Sequence, residues 1–179
     1  MRVSKDKLIE SITVTVTYLE QVARPTLPQL APPPFKTALM RMENPPVDFY
    51  RFLFMKVGEA HKWVSRRYLD DDDLIDLISA PNTEIFVLYK EGWPAGFAEI
   101  RSGDDDKIDF KFFGLMPEAQ GDGLGRWFLH EMLGLIWARG PKRVIIETCD
   151  LDSPAALRLY QQVGFTVYDQ GKGLVEWYG

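Results

Sequence analysis

The sequence has little cysteine and histidine and no excess of positive charge. The one cysteine among 179 residues, Cys149, cannot form an intrachain disulfide, which argues against a secreted, disulfide-stapled fold. The net charge of −5 argues against nucleic acid or an anionic membrane as a partner, because both are usually bound by basic patches. The two histidines, His61 and His130, have no partners at ligand spacing, so the sequence predicts no metal site.

Long apolar runs are also absent. No segment reaches the roughly 18 consecutive apolar residues of a transmembrane helix. The first residues lead into an alternating pattern and not into the continuous apolar core of a signal peptide. We therefore expect a cytoplasmic protein, and its length predicts one domain with its own core.

The N-terminal part has a strand pattern followed by prolines. Ile12–Tyr18 alternates β-branched residues with threonine, which predicts a half-buried strand. A cluster of prolines over residues 24–35 predicts an extended connector. Thr37–Glu43 is predicted as a second strand that pairs with the first. We therefore divide the chain into a strand with a proline-rich connector, residues 1–36, and a domain of residues 37–179, expected to form one structural unit.

The remaining sequence alternates between helical and strand patterns. Apolar spacing predicts a helix over Val47–Gly58 and a second short helix over Glu59–Tyr68. The acidic run Asp70–Asp73 predicts the start of a third helix, because carboxylates are favoured there. Later helices are predicted over Leu124–Ala138 and after Ser153. Strands are predicted over Glu84–Lys90, Ala95–Arg101, Ile108–Met116 and Val144–Ile146, and as a terminal pair, Phe165–Tyr168 and Leu174–Tyr178.

A glycine-rich turn joins the strand that ends at Leu115-Met116 to the next helix. Glycines at 121, 123 and 125 allow positive φ and a close approach of a ligand to the backbone. The N–H groups at a helix start suit a phosphate, although a plain strand-to-helix turn is the alternative. A P-loop would need Gly-Lys-Ser/Thr, and a dinucleotide fingerprint would need glycine where Arg126 stands.

About thirty residues later the chain has a second motif. Ser153 is a good N-cap, and Pro154 occupies the first helical position. The helix carries Tyr160 and closes on Gly164-Phe165. The two motifs together predict a phosphate-bearing cofactor beside a tyrosine.

These motifs identify a resemblance to the GNAT superfamily of N-acetyltransferases. Gln-x-x-Gly-x-Gly resembles its acyl-CoA signature, and Ala-x-x-x-Tyr-x-x-x-Gly-Phe resembles its later motif. The matching residues are Gln120, Gly123 and Gly125, then Ala156, Tyr160, Gly164 and Phe165. The resemblance covers roughly Thr37–Tyr178 and is best over Glu84–Phe165. It implies an α/β fold with a mixed, mostly antiparallel sheet of six to seven strands, helices on both faces and a splayed central parallel strand pair.

The resemblance also implies an activity. We expect an acyltransferase that moves an acetyl or short acyl group from acetyl-CoA to an amine of a small molecule or peptide, by direct attack in a ternary complex. It implies acetyl-CoA as co-substrate. From the composition we expect no metal, nucleic acid or membrane partner, and we expect a monomer or homodimer. Two alternatives remain: a catalytically silent acyl-CoA-binding sensor or interaction module, and an enzyme that uses a longer acyl group or an oxygen nucleophile.

The residues expected to hold coenzyme A follow from the same resemblance. The backbone of the strand end pairs with the pantetheine arm, and the glycine loop holds the diphosphate with added charge from Arg126. Ser153 stands where the family often has an asparagine that bonds the cofactor arm, so this contact is left open. The set is Leu115, Met116, Gln120, Gly121, Asp122, Gly123, Leu124, Gly125, Arg126, Ser153, Ala156 and Tyr160.

The resemblance implies that Tyr160 is the general acid, because a phenol with a pKa near 10 can protonate a departing thiolate. The alternative is a tyrosine packed in the interior with its hydroxyl satisfied. Asp109 is the first candidate for the base and Glu99 the second, and Glu147 and Asp150 are further candidates. The alternative for Asp109 is a solvent-facing strand residue with no catalytic role. Many family members rely on positioning and bulk deprotonation without a dedicated base.

Overall fold

The computed structural model describes residues 7–178, which form one seven-stranded sheet with helices on both faces. The strands are β1 (Leu8–Gln21), β2 (Thr37–Arg41), β3 (Thr83–Lys90), β4 (Trp93–Ser102), β5 (Lys107–Leu115), β6 (Arg143–Cys149) and β7 (Thr166–Tyr178). The helices are α1 (Val47–Gly58), α2 (Asp71–Ile78), α3 (Leu124–Trp137) and α4 (Pro154–Gln162).

The sheet order is β2-β3-β4-β5-β6-β1-β7. All neighbouring strands run antiparallel except β5 and β6, which run parallel. The predicted fold class, a mostly antiparallel mixed sheet with one splayed parallel pair, is confirmed. Each face of the sheet has its own core. One contains α3 and α4 around Phe128 and Tyr160, and the other contains α1 and α2 around Tyr50 and Phe54.

The N-terminal strand does not pair with the second strand, so this prediction was wrong. β1 lies between β6 and β7 and runs antiparallel to both, whereas β2 pairs with β3 at the opposite edge. The extended connector of residues 22–36 makes this possible. It can span roughly 50 Å, whereas crossing five strand spacings needs about 24 Å. The prolines therefore keep the connector extended, whereas tertiary contacts determine which strands pair with β1.

The C-terminal segment forms one continuous strand, and the predicted terminal strand pair was wrong. Gly171 and Gly173 suggested a turn, but they lie opposite Val16 and Val14 in the β1–β7 ladder. A Cβ on Gly173 would lie 3.2 Å from a methyl carbon of each valine. Gly173 makes room for the valines of β1, and neither glycine reverses the chain.

The prediction of a helix over Glu59–Tyr68 was also wrong. Only Glu59–His61 forms a short 3₁₀ turn, and Lys62 then takes the left-handed conformation at φ 51°. The side chain of Trp63 packs onto Gly58, where a Cβ would lie 2.6 Å from the indole. This contact stabilises an irregular segment over residues 62–69. The next helix begins as predicted, because the Asp70 carboxylate accepts a hydrogen bond from the Asp73 amide at 2.9 Å.

Candidate active site

The site begins where the two parallel strands separate. β5 and β6 pair only from Lys107–Phe110 against Arg143–Ile146, although each strand continues beyond. Phe110 and Phe112 pair with consecutive residues of β4, which leaves Lys111 as a bulge. A bulge bends its strand. Beyond it lies a cavity of about 650 Å³ lined by both diverging strands.

The glycine loop lines one half of the cavity. Gly121 and Gly123 have φ values of 101° and 73°, and Gly123 caps α3. Within residues 7–178, none of the amides from Gly121 to Arg126 donates to a protein acceptor. The Gln120 side chain donates to the Leu115 carbonyl at 3.2 Å and closes the loop against the end of β5. Free amides at a helix start form a site for an anionic ligand.

The structure brings most of the predicted coenzyme A residues to this cavity. The lining includes Leu115, Gln120, Gly121, Gly123, Gly125, Ser153, Ala156 and Tyr160. The other four lie outside the lining. The amide of Met116 donates to the Ala95 carbonyl at 2.8 Å, and Asp122 pairs with Lys90 at 3.0 Å. Leu124 is buried in the core, and Arg126 is exposed on the first turn of α3.

Tyr160 is a buried residue of α4 that lines the cavity. Its ring packs near Phe113 and Phe165. Its hydroxyl has no hydrogen-bond partner among the described residues. Burial, with a smaller contribution from the charge of Asp152, raises the pKa of the phenol above its usual value. Tyr160 therefore keeps its proton at neutral pH and can act as a hydrogen-bond donor in the cavity.

The turn between β6 and α4 is held by Asp152. One carboxylate oxygen accepts from the Trp63 indole at 3.1 Å, and the other accepts from the Thr148 hydroxyl at 3.0 Å and the Cys149 amide at 2.9 Å. Ser153 caps α4 through the Ala155 amide at 3.3 Å. Asp152 thus connects the turn before α4 to the irregular segment after α1.

Burial raises the pKa of the Cys149 thiol, which disfavours the thiolate.

The other half of the cavity has an apolar lining from four parts of the chain. The lining residues are Val57 in the last turn of α1, Trp63 of the irregular segment, Val14 and Val16 of β1, and Leu174 of β7. Sequence reasoning did not assign any role in the site to β1, because its alternating pattern indicates a strand but not its neighbours. The segment before Thr37 therefore forms part of the cavity wall.

Neither predicted base lines the cavity. The Asp109 carboxylate lies 3.3 Å from Lys111 and 3.7 Å from Lys107. Glu99 is fully buried, and its two oxygens accept from the Tyr50 hydroxyl at 2.5 Å and from the Arg66 guanidinium at 2.9 Å. Burial and the charge of Glu99 raise the pKa of the Tyr50 phenol well above its usual range.

Of the four candidate bases, Glu147 is the one that the structure brings to the cavity lining. It lies on β6 beyond the region paired with β5, where its backbone pairs with β1, and its exposed side chain has no hydrogen-bond or ion-pair partner within residues 7–178. Asp150 is engaged elsewhere, because both its oxygens accept from the Thr15 amide at 3.1 Å. The sequence names all of these carboxylates as candidates, but only the strand geometry separates them.

Residues 7–178 contain no group of three or more histidine, cysteine, aspartate or glutamate side chains arranged to hold a metal ion. Over the same range, no helix combines the length and apolar character needed to cross a membrane.

Three features of this site are typical of the GNAT-type acetyltransferases. They are a splayed parallel strand pair, a helix start with free amides, and a buried tyrosine beside it. Residues 48–165 match the Acetyltransferase (GNAT) family. This match covers more than half of the chain, and the chain belongs to that family. Members of the family use acetyl-CoA as co-substrate. No curated protein matches the sequence.

Solved structures share the fold at low sequence identity. The GCN5-related N-acetyltransferase from Sphaerobacter thermophilus is similar with a TM-score of 0.64 and 16% identity, over 92% of this chain and 52% of that one. The ribosomal-protein-S18-alanine N-acetyltransferase from Escherichia coli has a TM-score of 0.61 and 15% identity, over 79% and 94%.

A conserved protein of unknown function from Staphylococcus epidermidis has a TM-score of 0.56 and 14% identity, over 93% of this chain and 63% of that one. The chain thus spans between about half and two thirds of the length of two of these three proteins. At these identities the likeness shows the fold alone.

Proposed function

We propose that this protein transfers an acetyl or other short acyl group from acetyl-CoA to an amine, by direct attack in a ternary complex. One observation supports the proposal most strongly. A single cavity between two diverging strands has free amides on one side, a protonated tyrosine at its wall and an unpaired carboxylate on the other strand.

The donor half fits coenzyme A. The amides from Gly121 to Arg126 would hold its diphosphate, because they point from a helix start and lack protein acceptors. A Cβ on Gly125 would lie 3.6 Å from the Leu115 side chain, so the absence of a side chain there leaves the loop open toward β5. The unpaired edge of β5 beyond Phe110 offers backbone groups to an extended arm. When bound, acetyl-CoA supplies the acyl group as a thioester.

The chain supplies two groups for proton transfer. Burial raises the pKa of the Tyr160 phenol, so its hydroxyl keeps its proton at neutral pH and can donate it in a hydrogen bond to the departing thiolate. The carboxylate of Glu147 can attract an ammonium and accept a proton from it, directly or through water. We assign the role of base to Glu147 and not to Asp109 or Glu99, whose carboxylates are paired outside the cavity.

The decisive experiment combines binding and turnover. Calorimetry should detect binding of acetyl-CoA, and a thiol-release assay with a panel of amines should detect free coenzyme A. Tyr160→Phe should lower kcat by about 10²-fold, the lower end for a general acid, and should change acetyl-CoA affinity far less. The matched control is Tyr168→Phe, since Tyr168 is exposed on β7 and outside the cavity lining.

Two outcomes would contradict the proposal. Absence of acetyl-CoA binding by folded protein would remove the donor site. Binding without release of coenzyme A with any amine would instead identify a silent acyl-CoA-binding module.

A further inference from the structure

We propose that the acceptor is a primary amine with one cationic centre on an apolar body, such as an alkylamine or arylalkylamine. The inference rests on the proposed function, because it concerns the acceptor half of the same cavity. It is carried by the charges and the apolar surface of that half.

The first argument is the apolar wall. Val14 and Val16 of β1, Val57 of α1 and Leu174 of β7 contribute only aliphatic groups. Trp63 adds its indole, whose N–H is already used by Asp152. Leu174 is exposed and Val16 and Trp63 are half-buried, so these three side chains present most of the apolar surface, whereas Val14 and Val57 are each 3% exposed and add little. Burial of this apolar area would supply affinity at about 25 cal/mol per Å².

The second argument is the number of available carboxylates. Among the described residues that line the cavity, only Glu147 and Asp152 carry carboxylates. Both oxygens of Asp152 accept hydrogen bonds from the protein. Glu147 is thus the one carboxylate of the described lining that can pair with a substrate ammonium, which matches an acceptor with one cationic centre.

The third argument is the positive charge beside this carboxylate. Lys62 and Lys111 also line the cavity, the first paired with Glu10 and the second 3.3 Å from Asp109. A second ammonium on the acceptor would meet these two lysines, whose neighbouring carboxylates are already paired, or the apolar wall. Both placements are unfavourable, so polyamines and aminoglycosides should be poor acceptors.

A longer polyamine is the competing occupant. A second cavity of about 210 Å³ shares Val64, Ser65 and Leu174 with the first and contains Glu176. One oxygen of Glu176 accepts from the Tyr178 hydroxyl at 2.9 Å. A chain that crosses Leu174 could place its far ammonium there, and the experiment must distinguish this case.

The test compares amines that carry one cationic centre with amines that carry more than one, and hexylamine and 1,6-diaminohexane are matched in length. Values of kcat/KM should be about tenfold or more higher for hexylamine and phenethylamine than for 1,6-diaminohexane, spermidine and kanamycin at the same pH. A diamine, spermidine or kanamycin that equals or exceeds hexylamine would overturn the inference while leaving acetyl transfer intact. Binding of acetyl-CoA without acetylation of any amine would instead count against the proposed function.

Two variants separate apolar burial from charge. Leu174→Asp adds a carboxylate at an exposed position of the wall and should shift the hexylamine to 1,6-diaminohexane ratio toward the diamine by about tenfold. Val167→Asp, exposed on the same strand but outside the lining, should leave the ratio unchanged. An equal shift in both variants, or in neither, would refute a role for the wall in acceptor choice.

The Glu147 carboxylate is tested by a separate variant with a control of its own. Glu147→Gln should raise KM for hexylamine and lower kcat/KM by about 10- to 100-fold, the range for losing a hydrogen bond to a charged group. Glu43→Gln removes an exposed carboxylate after β2 and should behave as the unmodified protein. Unchanged kinetics in Glu147→Gln would overturn the inference.

Discussion

The buried carboxylate of Glu99 allows the sharpest test of how the site is built. It lies on β4, is 0% exposed, and joins Tyr50 of α1 to Arg66 of the irregular segment 62–69. That segment also provides Trp63 to the cavity wall. We infer that Glu99 is a positioning residue that holds the acceptor side in place. Glu99→Gln keeps the shape of the side chain but removes its charge.

The stability lost in Glu99→Gln depends on the environment of Arg66, the partner that keeps its charge. Removing one member of a buried ion pair typically costs 3–5 kcal/mol, because the other charge stays buried without a counter-charge. The Arg66 side chain is 12% exposed, so limited solvent contact reduces the penalty toward the lower end. We therefore expect the free energy of unfolding to fall by about 3 kcal/mol. For a chain of this length that corresponds to about 6–12 °C in Tm.

The assay is chemical and thermal unfolding of a small set of variants. Glu43→Gln, which removes an exposed carboxylate 3.3 Å from Arg41, should cost less than about 1 kcal/mol. The double variant Glu99→Gln/Arg66→Met has no stranded guanidinium and should be more stable than Glu99→Gln alone. In turnover assays, Glu99→Gln should raise KM for the amine more than it lowers kcat, because the acceptor wall is loosened.

A different pattern would refute this reasoning. If Glu99 were the general base, Glu99→Gln would leave Tm unchanged and lower kcat with little change in KM. Additive costs of the Glu99 and Arg66 substitutions would likewise show that the two side chains do not act as a pair.

Two further predictions concern packing and pH. Gly114→Ala would place a Cβ 2.5 Å from a methyl group of Val57, so it should cost about 1–3 kcal/mol in thermal unfolding, and an unchanged Tm would argue against this contact. Burial and Glu99 raise the pKa of Tyr50, so above pH 10 the unfolded chain loses this proton before the folded one. The free energy of unfolding should then fall by up to about 1.4 kcal/mol per pH unit from this group. Tyr50→Phe should reduce that slope, and an equal slope in both proteins would contradict the assignment.

Local sequence patterns predicted the elements that depend on near neighbours. The bounds of α1, the capping of α2 by Asp70 and the capping of α4 by Ser153 agree with the structure. Each depends on helical spacing or on one capping side chain within a few residues. The predicted helix after α1 failed because the packing of Trp63 onto Gly58 outweighed its local pattern.

The partners of the strands could not be predicted in the same way. Glycines at 171 and 173 are compatible with a turn and with an extended strand, and the choice depends on the valines of β1 opposite them. Those valines are more than 150 residues away in sequence. The period-two pattern of β1 indicates a buried face but carries no information about which strand it will pair with.

The sequence by itself determined the family, the glycine loop and the capped tyrosine helix of this protein, because both motifs are contiguous and their backbone geometry is set locally. The tertiary structure alone decided the rest of the cavity wall. It inserted β1 between β6 and β7, withdrew Glu99 into a buried ion pair and left Glu147 free beyond the point where the parallel strands separate. The physical reason is that strand pairing and burial join residues far apart in sequence, and they determine which of several similar carboxylates keeps its charge available.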